Sequence, residues 1–155
     1  MQKKFLFLIF LTFWILLILL LSCQNIENTS EAKTDFSGMD LRTKQYMVEG
    51  QRLYKNHCEN CHMADGKGLA NLIPPLANSD FMLADIDRTI CLIKYGLSGE
   101  IQVNQQTYNY PMPENNKLTH LELAEISTYI YNSWGNKKGI INLQTVKEAL
   151  QGCNE

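Results

Sequence analysis

The sequence predicts an all-α domain of three to four helices joined by long loops, carried behind an N-terminal export segment. Three observations support this. Apolar residues recur at spacings of three and four in several separate stretches. Only residues 101–108 (IQVNQQTY) alternate as strands do, over a length that suits one small hairpin. Residues 63–80, with Gly66, Gly68, Pro74 and Pro75, form an irregular stretch too long for a plain connection, so it should wrap around something. A chain of 155 residues bounds one small domain plus flanks.

The helices follow in order. From residue 41, Tyr46, Met47, Gly50, Leu53 and Tyr54 line one face for roughly four turns and lead into His57. Residues 84–95 place Ile86, Ile90 and Ile93 on one side, with Gly96 as the stop. Thr119 and Glu122 make a capping box, so a helix begins at His120. Leu121, Leu123, Ala124, Ile126, Ile130 and Trp134 give that helix a broad apolar face, and Gly135 ends it. The domain thus covers residues 41–135. An extension, 136–155, packs on it and adds a short helix over 146–150. So small a domain buries a modest core. A large apolar cofactor in its middle would supply what the side chains lack.

The N-terminus is an address rather than core. Two lysines precede residues 5–21, which are apolar apart from Thr12, the layout of an export signal over residues 1–22. LLSC then ends at Cys23, as in the lipobox of bacterial lipoproteins, whose cysteine carries a diacylglycerol. The alternative is an uncleaved anchor, for which 17 residues is at the short limit. Residues 23–40 are then the lipidated cysteine and a polar, flexible tether. Both outcomes put the chain outside the cytoplasm, on the periplasmic side and tied to a membrane. Losing Lys3 and Lys4 takes the formal net charge from −2 to −4. An acidic chain lacks the basic face that nucleic-acid binding needs.

The sharpest motif is HCENCHMADGKG, residues 57–68. Zinc would want a second CxxC pair, and none exists. A thioredoxin-like CxxC would start a helix after a strand, whereas this one follows a helix. Haem remains. Cys58 and Cys61 can add to two vinyl groups of one haem edge, and His62 then sits beneath the iron as an axial ligand. Haem c attachment occurs outside the cytoplasm, where the export signal sends this chain. With Cys23 lipidated and the CxxC pair used, Cys91 and Cys153 are left over and can pair in an oxidising compartment.

The iron needs a sixth ligand. His57 and His120 suit solvent, Met63 adjoins His62 on the wrong face, and Met39 and Met47 fall in the tether and first helix. Met112 stands in YPMPEN between Pro111 and Pro113, which hold the backbone extended. A thioether fixed in that loop, 50 residues after His62, can close over the far haem face.

Four stretches, GQRLYKNHCENCHMADGKG, IPPLANSDF, GLSGEIQVNQQTYNYPMP and LTHLELAEISTYIYNSWGN, resemble the class I cytochromes c over about residues 45–135, here in a bacterial lipoprotein form. The resemblance implies an all-α fold around one covalently bound haem, with the first and last helices crossing near Gly50 and Tyr54 and Tyr129 packed there. It implies that Pro74 offers its carbonyl to His62 and that Leu76 packs on the haem. Met63 and Gln105 depart from the glycines usual at their positions. With both axial sites filled, the iron has no place for a small-molecule substrate. The expectation is a membrane-tethered one-electron carrier, not an enzyme, working between a redox protein that donates and one that accepts. A fixed haem subunit of a dehydrogenase, reductase or oxidase complex is the alternative. A five-coordinate haem peroxidase or gas sensor is a third reading and requires Met112 to be off the iron.

Overall fold

The computed structural model of the chain describes residues 2–21 and 38–153 and divides into two units, residues 1–31 and 32–155. The first is a single helix, α1 (Gln2–Leu21), whose residues 5–21 are apolar apart from Thr12. Its uncharged run of 17 residues would rise about 25 Å, short of a hydrocarbon core about 30 Å thick. Among the described residues, no helix is long and apolar enough to cross a membrane. Cys23 and residues 24–37 of the expected tether lie outside the described residues.

The second unit holds α2 (Leu41–His57), α3 (Glu59–His62), α4 (Asp80–Ala84), α5 (Ile86–Tyr95), α6 (His120–Ile130) and α7 (Leu143–Gly152). One hairpin, β1 (Ile101–Val103) with β2 (Gln106–Tyr108), pairs antiparallel with Val103 opposite Gln106. Its two-residue turn puts Asn104 and Gln105 at φ 50° and 67°. Both are left-handed, as a tight hairpin turn of this twist requires. Asp80 and Asn104 exchange hydrogen bonds that tie the hairpin to α4.

α2 starts because Asp40 accepts from the amides of Arg42 and Thr43, and it buries Tyr46, Met47, Gly50, Leu53 and Tyr54 as the spacing predicts. α6 starts at the Thr119–Glu122 capping box. The two helices cross at Gly50, where a Cβ would lie 2.1 Å from the Glu125 carbonyl oxygen. Only glycine allows that approach. The crossing is sealed by rings: Tyr54 lies 5.3 Å from Tyr129 and 5.1 Å from Trp134, centroid to centroid. Edge-on and tilted contacts of this kind add to area burial.

Four expectations need correction. The helix predicted over 84–95 is two helices, because Asp85 is extended and caps α5 by accepting from Arg88 N–H, leaving Ala84 to α4. The last helix ends at Ile130, four residues before Trp134. The side-chain amides of Asn132 and Asn136 take the carbonyls of Thr128 and Ile130, and the chain then turns, with Trp134 left-handed at φ 54°. Leu121 faces solvent, 45 % exposed, so the apolar stripe begins at Leu123. The tail helix is also longer than expected. Asn142 caps it, Val146 and Ala149 bury it, and it packs on α5 and α6. A Cys91–Cys153 disulfide links α5 to the end of α7.

Candidate haem site

α2 ends at His57 because the chain reverses through Cys58 into the single turn α3. The Cys58 carbonyl accepts from the amides of Cys61, at 3.1 Å, and His62, at 2.9 Å. Both thiols and the imidazole therefore stand on one tight turn. A glycine-dependent loop positions His62 further. Gly68 N–H donates to the His62 carbonyl, and a Cβ on Gly68 (φ 69°) would sit 2.2 Å from the Ile73 oxygen and 2.7 Å from the Pro74 oxygen. With no side chain there, the Pro74 carbonyl reaches His62 Nδ1 at 3.1 Å. A carbonyl only accepts, so Nδ1 carries the proton and Nε2 is left with its lone pair. Burial pushes the His62 pKa down, against a smaller opposite effect of the Pro74 bond. The neutral ring is the form that ligates metal.

The loop beyond His62 is stitched to the rest by side chains from afar. Tyr54 Oη donates to the Met63 carbonyl at 2.7 Å. Trp134 Nε1 donates to the Ala64 carbonyl at 3.0 Å. Buried Asn136 donates to the carbonyls of Leu76 and Ile130 and accepts from Asn78 N–H. None of these three partnerships appears in the periodicity. The only sequence trace of Asn136 is its place just after a helix stop.

One apolar cavity, partly open to solvent, collects Cys58, Cys61, His62, Pro74, Leu76 and Met112 in its lining. Every residue predicted to hold or flank the cofactor in the folded domain is brought to this one space. His57 and His120 are exposed outside it, and Met47 is buried in the α2–α6 core. Burial, with the neighbouring Cys61 adding to it, pushes the Cys58 thiol up to about 12. A thiol that stays protonated is a poor nucleophile for disulfide exchange. Among the described residues, no group of three or more His, Cys, Asp or Glu could hold a metal ion by itself. Two thiols, one imidazole lone pair and one thioether around an apolar space suit an iron porphyrin instead. Its flat hydrocarbon body matches the walls, and its iron matches the soft sulfur and the imidazole.

A helical cage around an apolar cavity, with one hairpin and CxxCH on the turn after its first helix, is a class I haem domain. The cytochrome c family profile matches residues 47–134, more than half of the chain. The chain belongs to the cytochrome c family, is an electron-transfer protein and carries covalently bound haem c with its iron. It is 30% identical over 97 residues to cytochrome c-552 of Thermus thermophilus, covering 60% of this chain and 73% of that protein. It is also 30% identical over 89 residues to the cytochrome c subunit of the quinone alcohol dehydrogenase of Gluconobacter oxydans (strain 621H). That match covers 56% of this chain and 18% of the subunit.

Proposed function

We propose that Cys58 and Cys61 form the two thioether links to haem c, that His62 Nε2 and Met112 Sδ ligate its iron, and that the domain is an electron shuttle tethered by a lipid on Cys23. The observation that carries the haem assignment is the sharing of one apolar cavity by all four side chains, with His62 Nδ1 already committed to Pro74. Bound haem supplies reversible one-electron exchange at iron. The chain's residues do the rest. The Pro74 carbonyl fixes the ring plane of His62 and raises its basicity as a ligand. Leu76 and the other apolar walls keep water from the iron. Met112, between two prolines, offers a ligand that need not move between oxidation states. With His62 and Met112 both holding the iron, no position would be left for substrate, which would separate a carrier from a peroxidase or gas sensor.

Replacing Met112 with Ala should abolish the sulfur-to-iron charge-transfer absorption of the oxidised protein and lower its midpoint potential sharply. An unchanged spectrum and potential would remove Met112 from the iron and favour the five-coordinate reading. The tether rests on the leader and Cys23. Cys23→Ser should move the protein from the membrane to the soluble fraction, and mass spectrometry of the native N-terminus should find a diacylglycerol. The export signal supports an extracytoplasmic location. Similarity to a dehydrogenase cytochrome subunit supports a second reading, a fixed haem subunit of a larger redox complex. Detergent extraction separates the two: a shuttle elutes alone, whereas a subunit elutes with its enzyme.

A further inference from the structure

We propose that the C-terminal end of α5 and the two residues after it, through Lys94, Gly96 and Leu97, form the mount that positions Met112 for the iron. This rests on Met112 being the sixth ligand and extends that reading to residues outside the CxxCH motif and the ligand set. Among the described residues, the main-chain hydrogen bonds that leave residues 112–116 go to residues 93–97, apart from a local turn bond from Leu118 N–H to the Asn115 carbonyl. Leu97 and Met112 exchange both N–H···O bonds at 2.9 Å, forming an isolated antiparallel bridge. Asn115 N–H is shared between the carbonyls of Ile93 and Lys94, each at 3.2 Å. Lys94 Nζ then reaches across to the carbonyls of Asn116, at 2.6 Å, and Leu118, at 2.7 Å. The end of α5 and the residues just after it thus grip the strap at Met112, Asn115, Asn116 and, just beyond it, Leu118.

Gly96 sets the height of the strap. Its φ of 80° and ψ of −176° belong to a region that only glycine occupies without strain. A Cβ there would lie 2.6 Å from the Met112 carbonyl oxygen and 3.0 Å from Glu114 N. Any side chain at Gly96 must therefore push on the residue that carries the ligand. Pro111 and Pro113 remove the torsional freedom that could absorb the push, so Met112 moves as a body. Lys94 holds the other end. It is a cation in the last turn of α5, where the helix dipole favours it. Lys94, Gly96 and Leu97 act through Met112 and are positioning residues.

The test uses the full-length, haem-loaded protein and three variants, Gly96→Ala, Lys94→Ala and Lys94→Arg. Each is measured for the sulfur-to-iron absorption, the midpoint potential, the dissociation constant of added imidazole and the thermal midpoint. Imidazole must displace Met112 to bind, so a loosened strap shows as tighter imidazole binding. Gly96→Ala should lose most of the absorption, lower the potential and bind imidazole at least about tenfold more tightly. Lys94→Ala should shift all three in the same direction by a smaller factor. Lys94→Arg, which keeps the charge and donors, should return towards wild type. If Gly96→Ala does not accumulate, Lys94→Ala decides alone. A lower thermal midpoint with absorption, potential and imidazole affinity all unchanged would overturn the mount and leave Met112 ligation standing. A wild-type protein without the sulfur-to-iron absorption would instead overturn the ligation reading, and the mount with it.

Discussion

The two sides of the haem cavity are held by different means. On the His62 side, side chains distant in sequence reach in: Tyr54 from α2, Trp134 and Asn136 from the segment after α6, each closing on a carbonyl of the 63–76 loop. These groups sit against the α2–α6 crossing, which belongs to the densest part of the core. On the Met112 side, the strap is held by main-chain bonds to one helical turn and by one lysine, with Tyr110, Pro111 and Pro113 exposed. Opening the first side means unpacking the core. Opening the second means breaking a few bonds near solvent. Local opening follows that gradient, so the Met112 side should release before the His62 side does.

The largest break should come at the crossing. Gly50→Val forces a branched side chain against the Glu125 carbonyl and should cost about 3 kcal/mol or more, read by chemical denaturation. Severing the link behind α5 comes next. The double substitution of Cys91 and Cys153 by Ser opens a crosslink between residues 62 apart and should lower stability by about 2–4 kcal/mol. Asn136→Ala removes three hydrogen bonds of a buried amide on the His62 side and should cost about 1–3 kcal/mol.

Met63→Gly should work the other way. Met63 sits at φ 62° and ψ 159°, a region suited to glycine, while Tyr54 holds its carbonyl in place. Glycine there should relieve strain and raise the unfolding free energy by about 1 kcal/mol, without altering the iron spectrum. The smallest effect concerns pH. Burial, reinforced by Glu49 and Glu122, raises the Glu125 pKa above the ordinary carboxylate value. Its favourable contribution is therefore present below that ordinary value and is lost as pH rises through the raised one. Glu125→Gln should flatten this loss, gaining less than about 0.5 kcal/mol at neutral pH after solvent screening, visible as a pH-independent thermal midpoint difference above that range.

What could be read in advance tracks how local each determinant is. α2 and the start of α6 followed from apolar spacing and a capping box, signals that lie within one helix. The residues that gather at the apolar cavity stand out in the sequence because CxxCH and YPMP are short and chemically unusual. The start of α5 at Asp85 is masked because a helical apolar pattern runs straight through it and outweighs the N-cap signal of the aspartate. The spacing of Trp134 matches the stripe and predicts helix there, whereas the side-chain amides of Asn132 and Asn136, four and six residues on, take the last carbonyls and α6 ends at Ile130. The mount under Met112 was invisible for a deeper reason. It is made mainly of main-chain groups, which every residue carries, so composition says nothing about it. Gly96 was legible only as a stop signal, though it also supports the strap.

Trp134 offers an optical consequence. The chain has two tryptophans, and the other, Trp14, lies in α1. A chain cleaved before Cys23 would keep one indole, seated over Gly66 and bonded to the loop that follows His62. So close to the cofactor's pocket, its emission should be quenched by energy transfer in the folded protein and should brighten when that loop lifts. One native residue would then report the opening of the His62 side in real time, with no label attached.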